Sequence, residues 1–241
     1  MTLTDTGRQF QLGVSQGFRR LREAVEQLQP ANDKLVRIQS SPPIVTKWLA
    51  PRLQRFTERH PEIPLCIDTS FDLTSFGDDG PDVAIRFTRE PGPEVHAIRL
   101  IDETVLPLAS PSLIEQLDLR EPKDMRRAPL LHDDSLSVFD GAPLWSDWFR
   151  QVGIDPAEAQ RGSRFARYAD QAIDAAAGGA GVVLGRRFIA MNEMKTGRLA
   201  SPFGPELEIG ISYFAICAKG RESETKISFV LEWLAEESEK L

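Results

Sequence analysis

From Lys34 onward the chain alternates short apolar runs with stretches of helical spacing, and this alternation restricts the fold more than any other feature. Leu35–Gln39 is a short apolar run. Ile44, Trp48, Leu49, Leu53 and Phe56 then recur at helical spacing as far as His60-Pro61, with Pro51 as a kink. Leu65–Thr69 and Asp82–Phe87 read as strands, followed by two more at Val95–Ile101 and Thr104–Ala109. Ser110-Pro111 opens a short helix, serine as cap and proline in the first turn. Further on come a strand at Leu130–His132, a helix face of Leu144, Trp145, Trp148 and Phe149, an alanine-rich helix at Ala169–Ala177, and a strand at Val182–Leu184. Phe188–Met194 is helical, Ile209–Ala218 is the longest strand-like run, and Ile227, Leu231, Trp233 and Leu234 mark a closing helix. Strands alternating with helices imply an α/β fold with a mostly parallel sheet. Two such blocks with a late return helix imply two lobes whose chain crosses between them.

Ahead of these blocks, Phe10, Val14, Phe18, Leu21, Val25 and Leu28 form an amphipathic seam, stopped by Pro30, Asn32 and Asp33. A seam held off by a linker favours a partner helix, so 1–29 is read as a dimerisation helix. The 241 residues are 41% hydrophobic, a globular composition, and carry a net charge of -7. Gripping nucleic acid through phosphates needs a basic face, so this chain is a poor DNA binder by itself. No apolar run approaches the ~20 residues of a membrane span, and the start is polar, unlike a signal peptide. A soluble, cytoplasmic protein is expected. Cys66 and Cys217 lie in apolar runs and are expected to be buried free thiols.

Nothing assembles a catalytic centre. His60, His96 and His132 lack metal-ligand spacing, the cysteines form no C-x-x-C, and no serine sits in a G-x-S-x-G elbow. No enzyme activity, metal or cofactor is expected. Gly178-Gly179-Ala180-Gly181 follows a helix and opens a strand, the reverse of a dinucleotide loop, and is read as a helix C-terminus. Gly77-Asp78-Asp79-Gly80 with Asp82 lacks calcium-loop spacing and is read as a polar turn.

The informative polar residues lie at strand ends. Ser40 and Ser41 close the first strand just before a helix, where hydroxyls and unpaired amides meet; Ser41 serves a ligand or merely caps the helix. Arg86 ends the Asp82–Phe87 strand and offers a charged clamp, or pairs with Asp82 or Glu90. Tyr168 and Asp170 stand at the start of the alanine-rich helix, with Asp170 a plausible cap, and Tyr213 lies in the late long strand.

Several of these stretches, in order, resemble one family. Ser40-Ser41-Pro42-Pro43 leading to Trp48-Leu49-Ala50-Pro51-Arg52-Leu53, then Asp82-Val83-Ala84-Ile85-Arg86, then Val105 to Pro111, and Ala175 to Val182 with Leu184-Gly185-Arg186, are similar to the effector-binding domain of LysR-type transcriptional regulators. The wording is nearest to the subgroup containing the glycine-cleavage and β-lactamase regulators. Leu3-Thr4-Asp5-Thr6-Gly7 resembles the phrase that follows that family's winged helix-turn-helix, the DNA-reading element itself being absent from these residues. The resemblance implies a periplasmic-binding-protein-like pair of Rossmann-like lobes with a cleft and two crossover strands, preceded by a linker helix. Lobe one would be 34–104 plus 212–241, and lobe two 105–211. It further implies a small-molecule effector between the lobes, a homodimer or a tetramer, and DNA contact only through the absent head. The implied pocket is lined by Ser40, Ser41, Pro43, Tyr168, Ala169, Asp170 and Tyr213. Pro43 stands where relatives commonly carry a hydroxyl donor, and Asp170 would repel an acidic inducer if it faced the cleft. The alternative is a stand-alone solute-binding protein on the same architecture.

Overall fold

The structure is a computed structural model that describes Val14 and residues 35–71, 75–77 and 80–240. The helix expected over 1–29 lies outside the described residues apart from Val14, as do Asp78 and Asp79 of the polar turn.

Among the described residues, eight strands form one mixed sheet: β1 (Val36–Ser40), β2 (Leu65–Thr69), β3 (Val83–Thr88), β4 (Val95–Leu108), β5 (Leu130–Asp133), β6 (Ser163–Phe165), β7 (Val182–Arg186) and β8 (Leu207–Ala218). Their spatial order is β2-β1-β3-β8-β4-β7-β5-β6. The outer triplets are parallel, whereas β8 runs antiparallel to both β3 and β4, and β4 antiparallel to β7. The sheet is therefore mixed rather than mostly parallel, because the two crossing strands return through its middle. The expected strands Val95–Ile101 and Thr104–Ala109 are one strand, β4. Its register against β8 shifts between Arg99 and Ile101 and again between Asp102 and Thr104. The polar Asp102-Glu103 step that separates the two runs in the sequence falls at those irregularities.

After β1 the chain turns at once into a helical stretch, α1 (42–59). It passes from an α turn at Pro42–Ile44 through π geometry at Val45–Leu49 and a 3-10 turn at Ala50–Arg52 into the α-helix Leu53–Arg59. Pro51 has no N–H to offer the Lys47 carbonyl four residues back, so regular α bonding cannot run through it. The remaining helices are α2 (Pro111–Gln116), α3 (Trp145–Gln151), α4 (Ala169–Ala177), α5 (Arg187–Lys195) and α6 (Thr225–Glu239). Ser110 caps α2 as its sequence suggests, its hydroxyl accepting from the Leu113 amide at 3.3 Å. Gly179 follows α4 with φ +83°, the left-handed value glycine tolerates at a helix end.

Two apolar cores result. One packs α1 and α6 on the β1–β3 strands through Trp48, Leu49, Phe56, Leu231 and Trp233, and runs on through Tyr213 and Phe188 into Ala172 and Ile173 of α4. The other packs α3 under β5 and β7 through Trp145, Trp148, Phe149, Val182 and Leu184. Cys217 is buried as expected, but Cys66 is exposed: β2 is an edge strand and Cys66 points to the face away from the apolar core. Trp148 is fully buried and its indole N–H donates to the Pro205 carbonyl at 2.8 Å. Trp148→Ala should cost about 3–5 kcal/mol in urea unfolding, while Val138→Ala, at an exposed position, should stay within about 0.5 kcal/mol of the parent.

Candidate functional site

The polar side chains at the junction of the two sheet ends come from both crossing strands. Glu103 of β4 is 1% exposed; one carboxylate oxygen accepts the Phe188 amide at 2.9 Å and the Thr104 amide at 3.1 Å, and the other is buried without a hydrogen-bond partner. Burial pushes its carboxyl up to about 7, against the pull of those two amides and Arg186. Arg186, the last residue of β7, donates to Asp133 at the end of β5 (3.2 Å), to the Ser135 hydroxyl and to the Tyr213 hydroxyl (3.4 Å), and lies 5.0 Å over the Phe87 ring. Burial opposes its charge, but Tyr213, Asp133 and Glu103 outweigh that and hold its pKa high. Tyr213 of β8 is 1% exposed and stacks on Phe87 at 4.6 Å; burial first, then Glu103, raises its phenol pKa.

Contacts between the two sheet ends flank this centre. On one side, Lys47 of α1 donates to Asp174 of α4 at 2.6 Å and to Glu193 of α5 at 2.8 Å, and Trp48 packs on Phe188 at 5.2 Å. The Lys47 carbonyl that Pro51 cannot serve accepts from the Asn192 side chain at 2.6 Å. Burial opposes the Lys47 charge, yet its two carboxylate partners leave its pKa raised. On the other side, Arg89, just past β3, donates to the Asp140 carbonyl, and Phe87 meets Phe139 edge-on at 5.1 Å.

The residues singled out from the sequence fall into three places. Ser40, Ser41, Pro43 and Arg86 lie at the carboxyl edge of β1 and β3. Tyr168, Ala169 and Asp170 lie at the start of α4, and Tyr213 lies in the buried junction. Ser40 is fully buried with its hydroxyl donating to the Ile85 carbonyl at 3.1 Å. Ser41 occupies the N-cap position of α1 but makes no side-chain cap bond. Prolines at the next two positions lack N–H groups, and the Ile44 amide bonds the Ser41 carbonyl instead, so the hydroxyl is not consumed as a cap. Pro43 and Ala169 are buried. Arg86 pairs with neither Asp82 nor Glu90; it donates to the Gln39 side chain at 2.6 Å, and Asp82 is held by Arg221 at 2.9 Å. Asp170 does not cap α4, whose N-cap is Tyr168. Burial first, with Asp174 adding to it, raises the Asp170 pKa, and one of its oxygens is buried without a partner. The two edges touch where Phe71, past β2, meets Tyr168 at 5.5 Å.

The model of the LysR substrate binding domain matches residues 31–239. The chain belongs to that family. It is 30% identical over 239 residues to the glycine cleavage system transcriptional activator of Escherichia coli K12, covering 97% of this chain and 75% of that protein. It is 28% identical to the transcriptional activator AmpR of Rhodobacter capsulatus, across 98% of this chain and 78% of that one. The AmpR effector-binding domain from Citrobacter freundii superposes with a TM-score of 0.68 at 23% identity, covering 86% of this chain and all of that one. This LysR-family domain thus has the periplasmic-binding-protein-like fold, and its crossover strands are β4 and β8. The relatives are transcriptional regulators, and among the described residues no cluster of three metal-ligating side chains occurs and no helix is long and apolar enough to cross a membrane.

Sequence reading of this LysR domain missed Glu103, Lys47, Glu193 and Phe71. Only Arg186 carried a signal, a charge closing the apolar run Val182–Leu184. Two outcomes follow for the polar clusters. Because the folded Glu103 pKa is raised, its contribution to stability is whole below about 4.5 and lost as pH rises through about 7. Glu103→Gln should remove that loss, gaining roughly 3 kcal/mol over the parent at pH 8 relative to pH 4.5 in urea unfolding; parallel pH profiles would refute it. Lys47→Met should cost about 3 kcal/mol by stranding Glu193, and Lys47→Met with Glu193→Leu should recover most of it in a double-mutant cycle.

Proposed function

We propose that this chain is the effector-sensing, dimerising part of a cytoplasmic LysR-type transcription regulator, with lobes of 34–104 plus 212–241 and of 105–211. A small molecule binds between the lobes, against Ser41 and Arg86 on one side and Tyr168 and Asp170 on the other. The observation that carries this reading is the meeting of two strand-end and helix-start edges across the Phe71–Tyr168 contact. Open α/β sheets bind ligands outside the carboxyl ends of their strands. Here β1, β2 and β3 deliver those ends to one edge, and Ser41 brings to it a hydroxyl that makes no cap bond. Tyr213 and Ser40 serve this pocket from behind, as buried supports rather than ligand contacts. Residues 1–29 pair two copies, and DNA is reached through a helix-turn-helix that these residues do not contain. Signalling requires unequal affinity for two lobe arrangements, since equal binding shifts nothing.

A thermal-shift library of small acids, amino acids and cell-wall fragments should yield a ligand that raises stability by about 2.7 kcal/mol at a hundredfold excess over its Kd. Ser41→Ala and Phe71→Ala should each weaken it about fivefold or more, or about 1 kcal/mol. Unchanged affinity in both variants would remove the assigned pocket. Light scattering should find a dimer that becomes monomeric when residues 1–29 are deleted, and a monomer before deletion would reject the pairing role.

A further inference from the structure

Among the described residues, three lysine or arginine side chains are buried: Lys47 at 9%, Arg86 at 8% and Arg186 at 7% exposure. Lys47 has two carboxylates and Arg186 has Asp133. Arg86 differs. Its one hydrogen bond to a described residue goes to the neutral Gln39 amide oxygen at 2.6 Å, and Gln39 in turn donates to Asp68 at 3.0 Å, standing between the cation and the nearest acid of that row. Burial alone lowers its pKa, with no carboxylate of the described residues acting on it. A buried guanidinium without a counter-ion is costly, and removing the charge or supplying an anion relieves that cost.

The surroundings favour the anion. None of the Arg86 nitrogens is both sealed from solvent and unpartnered, unlike Nε of Arg52. Its remaining N–H groups therefore open toward solvent while its stem is buried. Arg86 sits two residues beyond Ala84, which is in register with Gln39, at the carboxyl edge of the parallel triplet and on the sheet face opposite Ile85 and Ile38. On the same row across β8 and β4, Arg99 is exposed and already paired with Asp102. The start of α4 carries Asp170, whose buried, unpartnered oxygen repels an anion at that edge. The negative end of a ligand is thus directed to the first lobe.

We propose that Arg86 is an oxyanion anchor and that the effector of this domain carries a carboxylate or an equivalent planar or tetrahedral oxyanion, gripped through the guanidinium fork. This rests on the cleft reading above and names the ligand class for it. A guanidinium can offer two parallel N–H···O bonds, and Gln39 holds that of Arg86 from one side.

The test titrates succinate, sulfate and the neutral succinamide into the full chain at constant ionic strength, reading the Arg Nε–Hε signals and the ¹⁹F resonances of the two tyrosines after 3-fluorotyrosine labelling. Succinate or sulfate should move the Arg86 signal saturably and the Tyr168 resonance with it, succinamide neither, and preference between the two anions separates a carboxylate ligand from a sulfate- or phosphate-like one. Arg86→Gln should weaken the anion about tenfold or more. Gln39→Glu, which sets a carboxylate beside the guanidinium, should do the same and keeps the test valid if Arg86→Gln fails to fold. Anion binding that moves Tyr168 but is indifferent to both substitutions overturns the anchor and leaves the cleft reading standing. No response of Arg86 to either anion also overturns the anchor; the cleft reading falls only if the library ligands also leave Tyr168 unmoved.

Discussion

The antiparallel pairing of β4 with β8 joins the two ends of the sheet, and the rest of the molecule is arranged around it. Both strands are long, 14 and 12 residues, because each must serve two neighbours. β4 gives its last four residues to β7, while β8 gives Ser212–Ile216 to β3. The register shifts in β4 turn Glu103 inward at the middle of this joint. A carboxylate there needs donors, and the start of α5 supplies one through the Phe188 amide. That bond ties the second lobe's helix to the first crossing strand, and Arg186 ties the same place to Tyr213 on the other. Any change in the angle between the lobes therefore has to rearrange a buried charge set. Packed polar networks of this kind favour a few discrete arrangements over continuous bending.

Much of this plan was legible because the relevant signals are local. Apolar runs bounded by breakers marked β1, β2, β3, β7 and β8 to within a few residues, and Ser110 and Gly179 did what serine before proline and glycine after alanine do. Errors arose where a local rule met a non-local fact. Asp102-Glu103-Thr104 looks like a loop because three polar residues interrupt an apolar run, yet strand pairing carries the chain straight through. Cys66 looks buried in Leu65–Thr69 until β2 turns out to be an edge. Ser41 looks like a cap until the following prolines are seen to lack the N–H groups a cap would bind.

The candidate site was less legible for a related reason: its decisive feature is which charges end up without partners. Lys47 and Glu193 are 146 residues apart and meet only because α1 crosses onto α5. Pro51 helps to set this contact, since the carbonyl it cannot bond is the one Asn192 reaches. In the sequence Arg86 was one arginine with two nearby acids. The fold sends Asp82 to Arg221 and turns Arg86 toward Gln39, so pairing by proximity in sequence fails.

An anchor and a signal have different physical requirements, and in the proposed cleft the two edges would divide them. Binding at Arg86 alone would strengthen attachment to the first lobe equally whatever the second lobe does, so it would shift no equilibrium. The shift must come from groups that reach the ligand only in one arrangement, the role the proposal gives Tyr168 and Asp170, on a helix held to the first lobe by Lys47 and the Phe71 contact. The contacts bridging the lobes on both sides of the junction, and the apolar core that runs unbroken from α1 through Tyr213 into α4, set the free-energy gap that such contacts must overcome. A ligand that satisfies Arg86 without reaching Tyr168 would then bind and remain silent, competing with the effector without replacing it.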